Sequence, residues 1–191
     1  MNKVDFDKLM QGQMKDAQGK TLLLHCCCAP CSSACLERLK DVFKITVLFY
    51  NPNIEDGEYK KRKAELQRLI NETGWADFMD CDHDTDEFYS RVAGLEGLKE
   101  GGARCLKCFE LRLAKTAELA KDFDYFTTTL TISPLKNAKA INDIGFALGR
   151  EKWLFSDFKK CDGYLRSLQL SKKFGLYRQN YCGCIFSKRD L

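Results

Sequence analysis

Cysteines dominate the chemistry that this sequence can offer, and five of them fall within residues 25–35, HCCCAPCSSAC. Three of these, Cys26, Cys27 and Cys28, are consecutive, and adjacent cysteines do not easily adopt the Cα separation of roughly 4.4–6.8 Å that a disulfide requires. The chain of 191 residues contains eleven cysteines, and its start lacks the apolar core of a signal peptide. We therefore expect a cytoplasmic protein whose thiols are metal ligands or redox groups.

A second group of thiols stands in a C-x-x-C motif at the start of a predicted helix, Cys105 and Cys108. Residues three apart share a helix face, so both sulfurs can reach one centre. The helix N-terminus, Arg104 and Lys107 are expected to favour their thiolate forms. Two sulfurs from the first loop would complete a set of four, which fits tetrahedral zinc or an iron–sulfur cluster. The crowded first loop is an unusual zinc knuckle, so the spacing favours the cluster.

The remaining cysteines form one close pair and three isolated residues. Cys182 and Cys184 lie in YCGC (181–184), where two sulfurs on one turn can form a strained, redox-active disulfide, hold a single metal or remain free thiols. Isolated cysteines are usually small buried hydrophobes, and this is the interpretation for Cys35, Cys81 and Cys161.

The elements that must position these thiols are alternating strands and helices. Strands are predicted at 21–25, 43–50, 76–81 and 124–131, and helices at 31–40, 57–73, 86–93, 105–122 and 137–150. This order predicts an α/β fold with a Rossmann-like parallel sheet and crossover helices. Ligands bind at the carboxyl ends of such strands, where the cysteine loop, residues 50–57 and the turn at Ser133 would meet.

We expect a single α/β domain over residues 1–191. It would have a polar N-terminal segment at 1–19 and a helical, aromatic, basic, cysteine-bearing C-terminal part at about 150–191 that closes the site. The C-terminal part interleaves cations and aromatic rings from Lys172 to Arg189, a weak indication of RNA contact. The net charge of +4 permits nucleic acid as a partner without requiring it.

Several other features limit the functions that the sequence could have. No run of 18 apolar residues occurs, which argues against a membrane span. Neither a Walker P-loop nor a G-x-G-x-x-G motif is present, so nucleotide chemistry of those kinds has no support. His25 is expected to be a hydrogen-bonded neighbour of the cysteines, and His83 to lie in a solvated acidic loop. The basic run at residues 60–63 predicts a solvated helix face.

Five motifs together resemble the cobalamin-independent epoxyqueuosine reductases. They are LLLHCCCAPCS (22–32), FYNPNI (49–54), RCLKCFELRL (104–113), TTLTISPLKN (128–137) and YCGC (181–184). The resemblance spans about residues 20–188. It implies reduction of an epoxide at the wobble base of tRNA to an alkene, the last step of queuosine synthesis. It also implies a [4Fe-4S] cluster and an electron donor that the sequence does not identify.

The resemblance also implies roles for individual residues. The cluster ligands would be Cys27, Cys28, Cys105 and Cys108, and the redox pair would be Cys182 and Cys184. Cys26 and Cys31 receive no firm role. The start of the chain is also similar to the PP-loop (HUP-like) tRNA-modifying enzymes, although cysteines replace their pyrophosphate-binding loop. Because the reaction needs two electrons and a cluster normally passes one, a second redox group is expected, either the cysteine pair or one additional iron ion.

Two alternatives stay open from the residues alone. The first is a thioredoxin-like thiol–disulfide oxidoreductase that uses Cys28 and Cys31, because this C-x-x-C follows a strand and opens a helix. The second is a zinc-stabilised RNA-binding module without catalysis, with four cysteines as zinc ligands. The additional thiols, Cys26, Cys27, Cys105 and Cys108, have no role in the thioredoxin-like alternative.

Overall fold

The protein is built on a four-stranded parallel sheet with helices on both faces. A computed structural model describes residues 4–188; Arg189 of the basic tail and the first three residues of the polar N-terminal segment lie outside this range. The strand order is β3-β2-β1-β4, with β1 at Thr21–His25, β2 at Lys44–Leu48, β3 at Asp77–Met79 and β4 at Tyr125–Thr128. The predicted α/β, Rossmann-like fold is confirmed.

The helices follow the predicted alternation, with differences mainly at their ends. They are α1 (Phe6–Met14), α2 (Ala29–Leu39), α3 (Asp56–Thr73), α4 (Thr85–Val92), α5 (Ala103–Leu119), α6 (Ala138–Gly149) and α7 (Gly163–Lys173), with short 3-10 helices at Thr129–Ile132, Arg150–Lys152 and Ile185–Lys188. Helix α2 begins before the predicted start because Pro30 fits its first turn. The sequence did not predict α1, and it predicted a helical C-terminal part without bounds, where α7 lies. The last strand ends at Thr128, whose side-chain oxygen accepts from the Leu130 amide and starts a 3-10 turn.

Alternation along β1 divides the buried side chains between the two faces of the sheet. Leu22 and Leu24 pack with α2, α3 and α7 on one face, whereas Leu23 packs with α4, α5 and α6 on the other, as a period of two requires. At the carboxyl edge, His25 pairs with Leu48 of β2 and Thr128 of β4. The three loops that follow these strands therefore begin side by side. None of the helices within residues 4–188 combines the length and apolar character that crossing a membrane would need.

Candidate active site

The loop after β1 brings three thiols together. The sulfur atoms of Cys27, Cys28 and Cys31 all lie within 4.8 Å of one another. Cys28 directly precedes α2, where its carbonyl oxygen accepts from the Ser32 hydroxyl at 2.7 Å, and Cys31 lies in the first turn. Three thiols at this separation can act together as ligands of a thiophilic metal.

Cys26 is separated from this group by the alternation of the strand. Its amide donates to the Leu48 carbonyl at 2.9 Å and so continues the pairing of β1 with β2. Its side chain is completely buried on the face of Leu22 and Leu24, where burial raises the pKa of the thiol. Cys27 and Cys28 belong to the opposite face. The three consecutive cysteines therefore divide into one core residue and two site residues.

Helix α5 and the C-terminal segment bring four more thiols to the face that carries Cys27 and Cys28. One small cavity is lined by Cys105, Cys108, Cys182 and Cys184, together with Asn53 from the loop after β2. Cys108 and Cys184 are buried in the same cluster of side chains as the first two thiols, and Cys31 and Cys105 pack against that cluster. Three distant segments thus deliver seven thiols to one side of the sheet, and all eleven cysteines of the chain are free.

The environment of the C-x-x-C motif differs from the sequence prediction. Burial raises the pKa of Cys105 and raises that of Cys108 to about 12. The Arg104 guanidinium donates to backbone carbonyls of the preceding loop, and Lys107 pairs with a glutamate at 2.8 Å. The charge of Arg104 lowers the pKa of Cys105 as expected, but burial outweighs this effect, so the metal-free protein does not favour the thiolates overall. A bound metal would reverse this, because coordination deprotonates a thiol.

Arg112 is a buried cation beside the thiols, and the sequence analysis missed it. Its side chain is fully buried, with Nη1 3.9 Å from the Cys108 sulfur and Nη2 donating to Asn51 Oδ1 at 2.6 Å. Arg112 follows Cys108 by one helical turn and Cys105 by two. That spacing on one helix face was the available signal.

Lys136 supplies a second positive charge from the loop after β4. Burial opposes the charge on its ammonium group, but the nearby thiols of Cys182, Cys27 and Cys31 outweigh this effect and raise the pKa of Lys136. The residue is partly buried and lines a cavity of about 150 Å³ together with Cys105 and Cys182. The site therefore combines many thiols with two cations that can offset negative charge.

Both histidines have structural partners. The Nδ1 atom of His25 lies 2.8 Å from Thr128 Oγ1 and its Nε2 atom lies 3.0 Å from the Tyr50 carbonyl. Burial and the adjacent Arg112 lower the pKa of His25 to about 3, so the ring is neutral. Its predicted role as a hydrogen-bonded neighbour is confirmed. His83 stacks on Tyr59 with 3.7 Å between ring centroids and is partly buried. The acidic residues beside it, Asp82 and Asp84, are exposed, so the predicted solvated acidic loop is present but the His83 ring is partly withdrawn from solvent.

Arg62 anchors the C-terminal cysteine segment. Only 1% of its surface is exposed, and its guanidinium donates to the carbonyl oxygens of Cys182 at 3.1 Å and Tyr181 at 3.4 Å. Its Nε atom pairs with Glu58 at 2.6 Å. The prediction of a solvated basic face at residues 60–63 is therefore wrong for Arg62, because this residue meets a segment about 120 positions away.

Gly183 is required between the two cysteines of this segment. Its φ of +119° is strained for any residue with a side chain. A Cβ atom there would lie 2.8 Å from Ile54 Cγ1 and 2.9 Å from Arg62 Nη1. The glycine thus lets the backbone of Cys182 and Cys184 approach α3 and the loop after β2 closely.

The isolated cysteines follow the prediction only in part. Cys35 is fully buried, as expected, and Cys81 is partly buried. Cys161 is exposed, with φ of +51°, so the prediction of a buried thiol is wrong for that residue. The turn that precedes α7 directs it outward.

The electrostatic surroundings of Cys28 and Cys31 give no support to a thioredoxin-like pair. A hydrogen bond with the Cys27 thiol and burial raise the pKa of Cys28 to about 12, although the bond with Cys31 acts in the opposite direction. Bonds with both neighbouring thiols and burial raise the pKa of Cys31. A redox-active C-x-x-C of that type has a lowered thiol pKa.

Comparison with known proteins gives the family. The family model described as "Epoxyqueuosine reductase QueH" matches residues 22–190. The chain is 41% identical to the epoxyqueuosine reductase QueH of Streptococcus pyogenes serotype M1, over 98% of this chain and 79% of that protein. It is 36% identical to the Thermotoga maritima protein of the same name, over 87% of this chain and 90% of that protein. The chain is therefore an oxidoreductase, and it belongs to the epoxyqueuosine reductase QueH family.

Proposed function

We propose that this enzyme reduces epoxyqueuosine at the wobble position of tRNA to queuosine. The observation that carries the proposal is the convergence of seven thiols and two cations at the carboxyl edge of the sheet. In this proposal a [4Fe-4S] cluster is held by Cys27, Cys28, Cys105 and Cys108, and Cys182 and Cys184 form the redox pair.

The residues present suit an iron–sulfur cluster. Cysteine thiolates are its usual ligands, and Arg112 and Lys136 can offset their negative charge in a buried site. Cys26 is turned into the opposite core, and of the three thiols that remain together after β1 the proposal takes Cys27 and Cys28 as the cluster ligands. When bound, such a cluster would supply electrons one at a time at a potential set by its surroundings.

The C-terminal pair can account for the two-electron stoichiometry. Conversion of an epoxide to an alkene consumes two electrons and two protons, and the oxygen leaves as water. Oxidation of the Cys182 and Cys184 thiols to a disulfide releases two electrons and two protons. An external electron donor must then return the pair to its dithiol form. The proposal also includes one additional iron ion. Cys31, whose sulfur lies within 4.8 Å of the Cys27 and Cys28 sulfurs, would be one of its ligands.

A lysine-lined cavity next to the thiols is where we place the RNA. It has a volume of about 710 Å³, and four lysines (Lys136, Lys139, Lys159 and Lys160) and two carboxylates (Asp5 and Asp157) lie on its wall. Lys159 pairs with Asp157 and Lys139 with Asp143, so the net positive charge of the wall comes from Lys136 and Lys160. Lys136 also lines the smaller cavity with Cys105 and Cys182, so it connects a basic surface with the thiols. In contrast, aromatic rings of the C-terminal part stack on cations of the protein itself, such as Tyr177 on Lys61 at 3.4 Å. Phosphates of the tRNA backbone suit the lysine cavity.

The proposal treats the chain as one α/β unit in which residues from about 150 onward close the site. The contacts of Arg62 with Tyr181 and Cys182 support that arrangement. Because the substrate is tRNA, the reaction would take place in the cytoplasm.

The test is anaerobic reconstitution followed by an assay on tRNA that carries epoxyqueuosine. We expect broad visible absorbance that dithionite bleaches, about four irons and four sulfides in the cluster, and queuosine among the product nucleosides. Cys105→Ala should abolish the cluster absorbance and the formation of queuosine. Cys161→Ala, which removes an exposed thiol, should leave both unchanged. A fully active, brown Cys105→Ala protein would refute the ligand assignment. A colourless protein loaded with zinc would refute the cluster.

A further inference from the structure

Asn53 is a buried amide for which the fold provides no partner. It lies in the loop between β2 and α3, and only 3% of its surface is exposed. Within residues 4–188, neither its Oδ1 nor its Nδ2 atom has a hydrogen-bond partner. The residue lines the small cavity formed with Cys105, Cys108, Cys182 and Cys184. Buried polar groups are nearly always paired, so two unpaired atoms on one side chain need an explanation.

Asn51, two residues earlier in the same loop, shows what a structural amide does here. It is completely buried, and its Nδ2 atom donates to the Cys26 carbonyl at 2.9 Å. Its Oδ1 atom accepts from Arg112 at 2.6 Å. Both polar side-chain atoms of Asn51 therefore have partners in the protein, whereas within residues 4–188 neither polar side-chain atom of Asn53 does. Burial without a partner destabilises a protein, which is consistent with a residue kept for a bound group.

We propose that Asn53 binds the iron–sulfur group by donating a hydrogen bond from Nδ2 to one of its sulfur atoms, and that this bond raises the reduction potential. The inference rests on the proposed function, since it takes the cluster as the bound group. Four of the nine other residues that line the cavity with Asn53 are cysteines, and a sulfur atom that carries negative charge accepts from an amide. Reduction adds negative charge, so such a donor favours the reduced form.

The experiment compares two matched variants, Asn53→Leu and Asn51→Leu, in the metal-free and reconstituted full-length protein. In urea unfolding of the metal-free protein, Asn53→Leu should have a midpoint no lower than the wild type, because it removes unpaired polar atoms. Asn51→Leu should have a lower midpoint, because it breaks two hydrogen bonds. After reconstitution to equal iron and sulfide content, potentiometric titration of Asn53→Leu should give a lower potential. A tenfold loss of preference for the reduced form corresponds to about 59 mV.

Each outcome decides the inference. Failure of Asn53→Leu to assemble the cluster while its metal-free stability is retained would also support binding by Asn53. An unchanged potential would overturn the inference, and so would a loss of metal-free stability equal to that of Asn51→Leu, which would show a structural role. If the wild type assembles the cluster and Asn53→Leu has the same reduction potential, the inference fails but the proposed function stands. If the wild type assembles no cluster, the inference and the cofactor of the proposed function fail together.

Discussion

One added methyl group at Gly183 should detach the C-terminal cysteine segment from the protein. In Gly183→Ala the new Cβ atom would lie 2.8 Å from Ile54 Cγ1 and 2.9 Å from Arg62 Nη1. Both neighbours are buried, with 0% and 1% of their surfaces exposed, so neither can move aside freely. The backbone φ of +119° adds strain of its own. The segment that carries Cys182 and Cys184 can relieve both the steric contacts and the backbone strain by detaching from α3 and from the loop after β2.

The expected effect is large enough to measure. Strain at a glycine-type backbone conformation costs about 1–3 kcal/mol, and overpacking costs about 1–3 kcal/mol. The sum is about 2–6 kcal/mol, and each 1.4 kcal/mol is a factor of ten, so even the lower limit raises the detached fraction about 30-fold. The probe is alkylation of Cys184, which is only 7% exposed when seated. Its anaerobic rate in the metal-free protein should rise by about that factor.

Gly175→Ala is the matched control. Gly175 also has a positive φ, +58°, but an added Cβ there meets no atom within 4 Å. It therefore carries backbone strain without the collision, and alkylation of Cys184 should accelerate much less. An alkylation rate in Gly183→Ala equal to that of the wild type would refute the reasoning. Equal acceleration by the two alanines would refute the part assigned to the contacts with Ile54 and Arg62.

Three further predictions concern other parts of the molecule. Gly145→Ala places a Cβ atom against the Trp153 ring, where it cannot fit without a shift; denaturant unfolding should show a loss of at least about 1–3 kcal/mol, with cluster content unchanged in the protein that folds. Arg166 lowers the pKa of Glu37, so this pair contributes stability above the ordinary glutamate pKa that is lost as the pH falls through the lowered value. Glu37→Gln should cost less than about 1 kcal/mol near neutral pH and nothing in acid. Cys31→Ala should keep about four sulfides but lose any additional iron.

The sequence predicted the parts of the fold that depend on local pattern. The apolar run at 21–25 and the β-branched run at 43–50 indicated buried strands, and β1 and β2 form there. Because the strands are parallel, the general rule for carboxyl edges predicted that the loops after them would meet. The contact of Asn51 with Cys26 shows that two of them do. Strand alternation, continued one residue past His25, also accounts for the direction of Cys26.

Long-range contacts of cations could not be predicted in the same way. Arg62 stands among three lysines, and nothing near it indicates that its guanidinium is buried against Tyr181 and Cys182. Cys161 differs from its prediction in the opposite sense. Its thiol was expected to be buried, but the positive φ at this turn exposes it. Arg112 was a nearer miss, since its spacing from the C-x-x-C motif placed it on the thiol face of α5. A charged residue on such a face has to have a polar partner.

Arg112 gives a last prediction, on charge balance. Reduction of the proposed cluster adds negative charge near a cation 3.9 Å from the Cys108 sulfur. A unit charge at about 4 Å contributes at most about 4 kcal/mol at an effective dielectric constant of 20, and about 1.4 kcal/mol corresponds to about 59 mV for one electron. Arg112→Met should therefore lower the potential by about 60–170 mV in a potentiometric titration. Lys115→Met, on the same helix but with its ammonium paired to Glu118 at the surface, should shift it far less because solvent screens that charge. Equal shifts would show that net charge, rather than the buried guanidinium, sets the potential.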